Sequence, residues 1–255
     1  MKQKKIILWV SAFIVSFLIL YVTNLFSDQY PVTGTIGING KKVSYRFEKV
    51  HYLDGALNII IRSDLKGLKG NIFWRSRSYE NPWKAVNLTD SLEVLKGIIP
   101  NGKPLDKIEY YAELNYKEKK FLLPGNQKIS LVFFGRIPPM LNVLSFLLLF
   151  SGLLLSIRTG LEYFNQSLKS RKFAILIVVI NMTLTLLINP LYLTYKNGYM
   201  NHLIPSIQDL FPAGNLVITF LWIITSIILF RKNSFKLISI LTGMLSIFVY
   251  IFLLL

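Results

Sequence analysis

Cysteine is absent from this chain, and histidine occurs only twice, as His51 and His202. No disulfide can staple the fold, and thiolate metal sites are excluded. One histidine in each of two distant regions does not make a metal centre by itself. Acidic residues are scarce, with 13 Asp and Glu against 29 Lys and Arg, for a net charge of +16. Paired carboxylates, phosphate-binding glycine loops and a Gly-x-Ser-x-Gly nucleophile turn are missing. His202 and Ser206 therefore lack the glycine-rich surroundings of a serine hydrolase. The expectation is a protein without cofactor or metal, with no residue assigned to catalysis.

What the chain has in abundance is apolar sequence: 53% of its 255 residues are hydrophobic and 16% are charged. The apolar residues gather in five blocks, at 6–26, 140–157, 173–192, 215–230 and 237–255, none with a charged residue inside. A bilayer core about 30 Å thick needs about 20 helical residues at about 1.5 Å each, so each block reads as a membrane span. Pro212 suits a first helical turn and lengthens the fourth. Lys2, Lys4 and Lys5 precede the first span; Arg158, Lys169, Arg171 and Lys172 join the second to the third; Arg231, Lys232 and Lys236 join the fourth to the fifth. The loop between the third and fourth holds only Lys196 and Asp209. Lysine and arginine are retained on the cytoplasmic side, which places the N-terminus inside and residues 27–138 outside. The positive charge thus follows membrane topology and implies no nucleic acid. The first span lacks a small-x-small cleavage pattern and reads as an uncleaved anchor. Abundant Lys, Asn and Ile point to a bacterial inner membrane.

Between the first two blocks, residues 27–138 alternate apolar and polar side chains with a period of two. Expected strands lie at 32–38, 41–52, 56–62, 71–78, 92–98, 107–115 and 128–134. Asn39-Gly40 and Asp54-Gly55 mark tight turns. Short strands at this spacing predict an all-β sandwich. This region carries 18 Lys and Arg against 11 Asp and Glu, and Lys117, Lys119 and Lys120 form its densest cluster, placed at a hairpin tip. A basic cluster of this kind is a candidate contact for lipid or a partner. Trp74, Trp83, Tyr110 and Tyr111 read as core, with a ligand-stacking platform as the rival role.

The runs Asn71-Ile-Phe-Trp74-Arg75, Trp83-Lys-Ala-Val86, Ile98-Ile-Pro100 and Lys107-Ile-Glu-Tyr110-Tyr111-Ala-Glu113 resemble immunoglobulin-like and fibronectin type III-like bacterial modules. That resemblance implies an immunoglobulin-like sandwich with a tyrosine-corner arrangement, in which a phenol bonds to nearby backbone. Alternation puts Ile108 and Tyr110 on one face and Tyr111 and Glu113 on the other, leaving open which tyrosine points inward.

Phe134-Gly-Arg-Ile-Pro138, Arg158-Thr-Gly-Leu-Glu162 and Asn189-Pro190 with Tyr195 and Gly198 carry a second resemblance, which covers most of the chain. The order of anchor, sandwich and four helices is similar to a group of uncharacterised bacterial inner-membrane proteins. The domain plan it implies is an anchor at 1–26, a β-sandwich at 27–138 and a four-helix membrane region at 139–255. Arg158 and Glu162, four apart, share a helix face. Together with Thr159 they are a second candidate for lipid or partner contact. Asn181 and Asn189 are read as polar helix-packing residues, and Pro190 as lying at a helix end. No ionisable residue falls mid-span, which argues against ion coupling.

The resulting expectation is an integral membrane protein with an immunoglobulin-like sandwich outside. It would bind membrane lipid and a membrane-protein partner as a noncatalytic accessory subunit of an envelope complex. A small transporter or channel component and a membrane enzyme acting on lipid or glycan remain the alternatives.

Overall fold

The computed structural model describes residues 2–77, 82–91, 93–164, 170–199, 205–231 and 236–254. It divides into two compact units. One comprises Met1–Ser27, Ile137–Tyr195 and Tyr199–Leu255; the other comprises Asp28–Arg136 with Lys196–Gly198.

The second unit is a two-sheet β-sandwich. Its strands are β1 Val32–Ile38, β2 Lys41–Phe47, β3 Val50–Tyr52, β4 Leu57–Ser63, β5 Lys69–Ser76 and β6 Lys84–Asn87. They continue with β7 Thr89–Ser91, β8 Val94–Ile99, β9 Lys107–Tyr116, β10 Lys119–Leu123 and β11 Ile129–Phe134. One sheet runs β1-β2-β4-β8-β7; the other runs β3-β11-β9-β5-β6, with β10 also paired to β9. Alternate side chains from both sheets form one core, including Phe47, Ile59 and Ile61 from the first and Ile72, Tyr110, Leu131 and Phe133 from the second. Asn39 and Gly40 adopt φ of 50° and 75°, the left-handed pair that a two-residue hairpin needs.

Two expectations change. The run 41–52 divides into β2 and β3, which belong to different sheets, and β3 lies parallel to β11. The division falls at Glu48, whose carbonyl leaves the ladder and accepts the Tyr110 hydroxyl at 2.7 Å. Tyr110 is thus the inward tyrosine, fully buried. Its partner lies 62 residues upstream rather than in nearby backbone, so the bond crosses the core instead of forming a tyrosine corner. Burial pushes the Tyr110 phenol well above its ordinary pKa, with the Glu48 charge adding to the effect. The lysine cluster flanks the β9–β10 turn, where Lys117 and Glu118 take φ of 44° and 66°.

The first unit is helical. Its helices are α1 Lys2–Phe26, α2 Pro139–Leu161, α3 Ser170–Thr183, α4 Asn189–Lys196, α5 Ile207–Leu210, α6 Ala213–Arg231 and α7 Lys236–Leu254. Four continuous stretches are long and apolar enough to cross a membrane: Gln3–Phe26, Pro139–Phe164, Ser170–Lys196 and Ala213–Arg231. The fifth block forms α7, whose apolar part, Leu237–Phe252, is shorter. A π-helical turn at Leu184–Ile188 joins α3 to α4. Pro190 therefore lies inside a continuous helix and not at its end, because the wide turn just before it takes up the break that proline imposes.

Candidate functional site

β11 alternates Ile129, Leu131 and Phe133 into the sandwich core with Ser130, Val132 and Phe134 on the opposite face. On one side it pairs with β9 over Ile129–Val132. On the other side β3 covers only Val132–Phe134. β3 is this short because the chain enters it from the crossing at Glu48 and turns away after Tyr52. Among the described residues, the first half of β11 consequently has no strand beside it on that side.

Hydrogen-bond direction along the strand follows from the covered half. The Val132 amide donates to the Lys49 carbonyl at 3.0 Å, and the Phe134 carbonyl accepts from the Leu53 amide at 2.9 Å. Backbone groups two residues apart point the same way, so those of Ser130, and of Lys128 before it, face the uncovered side. Beside them lies a groove of about 540 Å³. Val32, Val50, Ile129, Val132 and Phe134 supply apolar wall, while Asp28, Lys49 and Lys128 supply charge.

The outer face of the same sheet carries a second cluster. Phe73 and Tyr111 are cross-strand partners, and their rings stack with centroids 5.2 Å apart. Trp83 meets Tyr111 edge-on at 5.0 Å. The Arg75 guanidinium sits 4.7 Å from the Trp83 ring, and Lys128 Nζ lies 5.2 Å from it. Arg75 also donates from Nε and Nη2 to Glu109 Oε2, at 3.0 and 2.8 Å. That hydrogen bond holds the Glu109 carboxyl below its usual range; burial opposes it, while the charges of Arg75, Lys128 and Arg77 add to it. These aromatic groups are already occupied by one another and by cations. The stacking-platform role is thereby split: Tyr110 is core, Trp74 packs against the core, and Trp83 and Tyr111 belong to this surface cluster.

The other expected site residues fall elsewhere. Lys120 pairs with Glu113 at 3.1 Å, Lys117 lies 5.6 Å from the Tyr116 ring, and Lys119 is exposed. Arg158, Thr159 and Glu162 are brought together, but inside the helical unit, at 2%, 0% and 0% exposure. None of the three is placed to meet a lipid headgroup directly. Arg158 Nη1 donates to Glu162 Oε2 at 2.5 Å, and the guanidinium carbon lies 5.4 Å from the rings of both Trp9 and Phe173. Asn181 is buried and accepts from the Tyr250 hydroxyl at 3.0 Å; Asn189 is buried at the start of α4. His51 Nε2 lies 2.9 Å from the Gly55 carbonyl. Ser206 caps α5 in a reciprocal arrangement with Asp209, while His202 lies outside the described residues. Among the described residues, no three His, Cys, Asp or Glu side chains gather as metal ligands. The groove along β11 was missed from sequence because it depends on which strand stops short beside which, a non-local fact.

No protein-family model matches the chain, and no curated protein matches it. Among solved structures, a crystal structure of a Br derivative of BhCBM56 aligns with 42% of this chain and 95% of its own, at 9% identity and a TM-score of 0.25. So low a score assigns neither fold nor function.

Proposed function

We propose that this protein is a noncatalytic integral membrane protein that presents an immunoglobulin-like sandwich outside a bacterial inner membrane, with its N-terminus in the cytoplasm. In this reading it serves as a binding or accessory subunit of an envelope complex. The observation that carries the binding role is the groove of about 540 Å³ along the uncovered half of β11, within the range of about 300–1,000 Å³ usual for ligand sites. The membrane role is supported by the helical unit's distribution of side chains: Phe13, Phe17, Phe146, Leu147, Phe220 and Phe248 are exposed, whereas Arg158, Glu162, Asn181, Thr225 and Ser246 are buried. Water would select the reverse. Lipid is then one partner, and a membrane protein reached by the sandwich is the other. Attachment of the sandwich at both chain ends lowers the freedom lost when it docks.

Because the chain has no native cysteine, single cysteines report cleanly. In intact cells an impermeant maleimide should label Gln127→Cys, and a short photocrosslinker on that cysteine should give one discrete adduct with another membrane protein. Labelling only after the membrane is opened would overturn the topology. Adducts restricted to the chain itself would overturn the accessory role.

A further inference from the structure

We infer that the uncovered half of β11 accepts an extended segment of the partner protein as an added strand, and that this segment alternates apolar with acidic residues. The inference rests on the proposed binding role and specifies its chemistry. An edge strand offers unpaired N–H and C=O groups to any extended chain that reaches them. Here the groups that no described strand pairs with are those of Lys128 and Ser130, since Val132 and Phe134 are already bonded to the β3 side. β10 lies on the same edge of β9, but it opens with exposed Lys119 and Lys120 and does not line the groove. Charged edges of that kind discourage pairing. The groove confines the acceptor to the β11 segment.

Side-chain preference follows from the pleat. A residue paired with Ile129 or Leu131 would point inward, toward Val32, which packs against the core. One paired with Lys128 or Ser130 would point outward. There it meets Lys128 and the Arg75–Glu109 row that pairs with Ser130. Opposite charges across a ladder attract, and Lys49 adds a second cation at the groove wall, against the single carboxylate of Asp28. The region 27–138 carries 18 Lys and Arg against 11 Asp and Glu, which favours an acidic visitor. A second copy of this chain is disfavoured by the same excess. Its own β3 would also limit edge-to-edge pairing to the residues before Val132.

The test presents the full chain in lipid nanodiscs to displayed random nine-residue peptides, followed by residue-resolved amide hydrogen exchange with the enriched peptides bound. Enriched sequences should alternate apolar residues and carry Asp or Glu, and exchange at Lys128 and Ser130 should slow at least tenfold. Ser130→Pro removes the outward amide at a position where an edge strand tolerates proline, and should weaken binding more than tenfold. Lys128→Glu leaves the backbone intact and should shift enrichment toward basic peptides. Failure to enrich any peptide, protection centred outside 127–131, or undiminished binding to folded Ser130→Pro would overturn strand addition. If the adduct formed through Gln127→Cys persists in the Ser130→Pro background, the partner-binding role stands and strand addition alone falls.

Discussion

The two units of this chain solve burial in opposite ways. Among the described residues of the sandwich, Ser63 is the only polar side chain counted as buried, and the interior is otherwise aliphatic and aromatic. In the helical unit polar groups face inward and find each other across helices. Thr225 and Thr242 lie 2.6 Å apart, Trp222 Nε1 donates to Ser246 Oγ at 2.8 Å, and Thr185 meets Thr219 at 3.2 Å. The Arg158–Glu162 pair is the extreme case. The difference teaches two ways to build a core: water drives the first together, while in the membrane reading proposed above the second would rest on packing and interhelical hydrogen bonds.

The largest effect should come from splitting the buried ion pair. Arg158→Ala or Glu162→Gln leaves an uncompensated polar or charged group and should cost about 3–5 kcal/mol, read as a lowered thermal midpoint in detergent. The double replacement Arg158→Met with Glu162→Leu should recover most of that loss. If the singles are silent, the inward-facing polar groups are not what holds the helices. An intermediate effect is expected where α2 and α7 approach closely. A Cβ added to Gly243 would lie 3.1 Å from the Ser156 carbonyl and 3.3 Å from Gly160 Cα, both backbone. Gly243→Val should therefore destabilise the helices by about 1–3 kcal/mol, without altering the hydrogen-exchange pattern of the sandwich.

The smallest effect belongs to the water-facing Arg75–Glu109 pair. Glu109 has a lowered pKa in the folded state, so its contribution is present above the unfolded carboxylate value of about 4.5 and is lost as pH falls through the folded value. Acid titration of stability should be shallower in Glu109→Gln, by less than about 1 kcal/mol because both side chains are partly exposed. A larger change would mean that the surface cluster supports the fold as a core does.

Element type was the part of this architecture most legible in sequence. The apolar blocks became helices, Asn39-Gly40 became a hairpin turn, and Ile108 with Tyr110 took the inward face. The short β6, β7 and β10 were not foreseen. Lys119-Lys120-Phe121-Leu122-Leu123 begins with two lysines and shows no clean alternation, so it looked like the tip of a turn rather than a strand. Arg158 and Glu162 were recognisable as neighbours on one helix face, but their burial depends on Trp9 and Phe173 arriving from α1 and α3. Spacing along one helix carries no record of that.

The π-helical turn at Leu184–Ile188 has a rotational consequence. Asn181, Thr185 and Asn189 recur every four residues and are all buried. In an unbroken α-helix of about 3.6 residues per turn, each such step would advance by about 40° around the axis, carrying the last of them away from the first. One wider coil reverses that drift and brings Asn189 back into phase. The direction in which α4 aims its side chains is thus set by a surplus residue in the winding of the backbone.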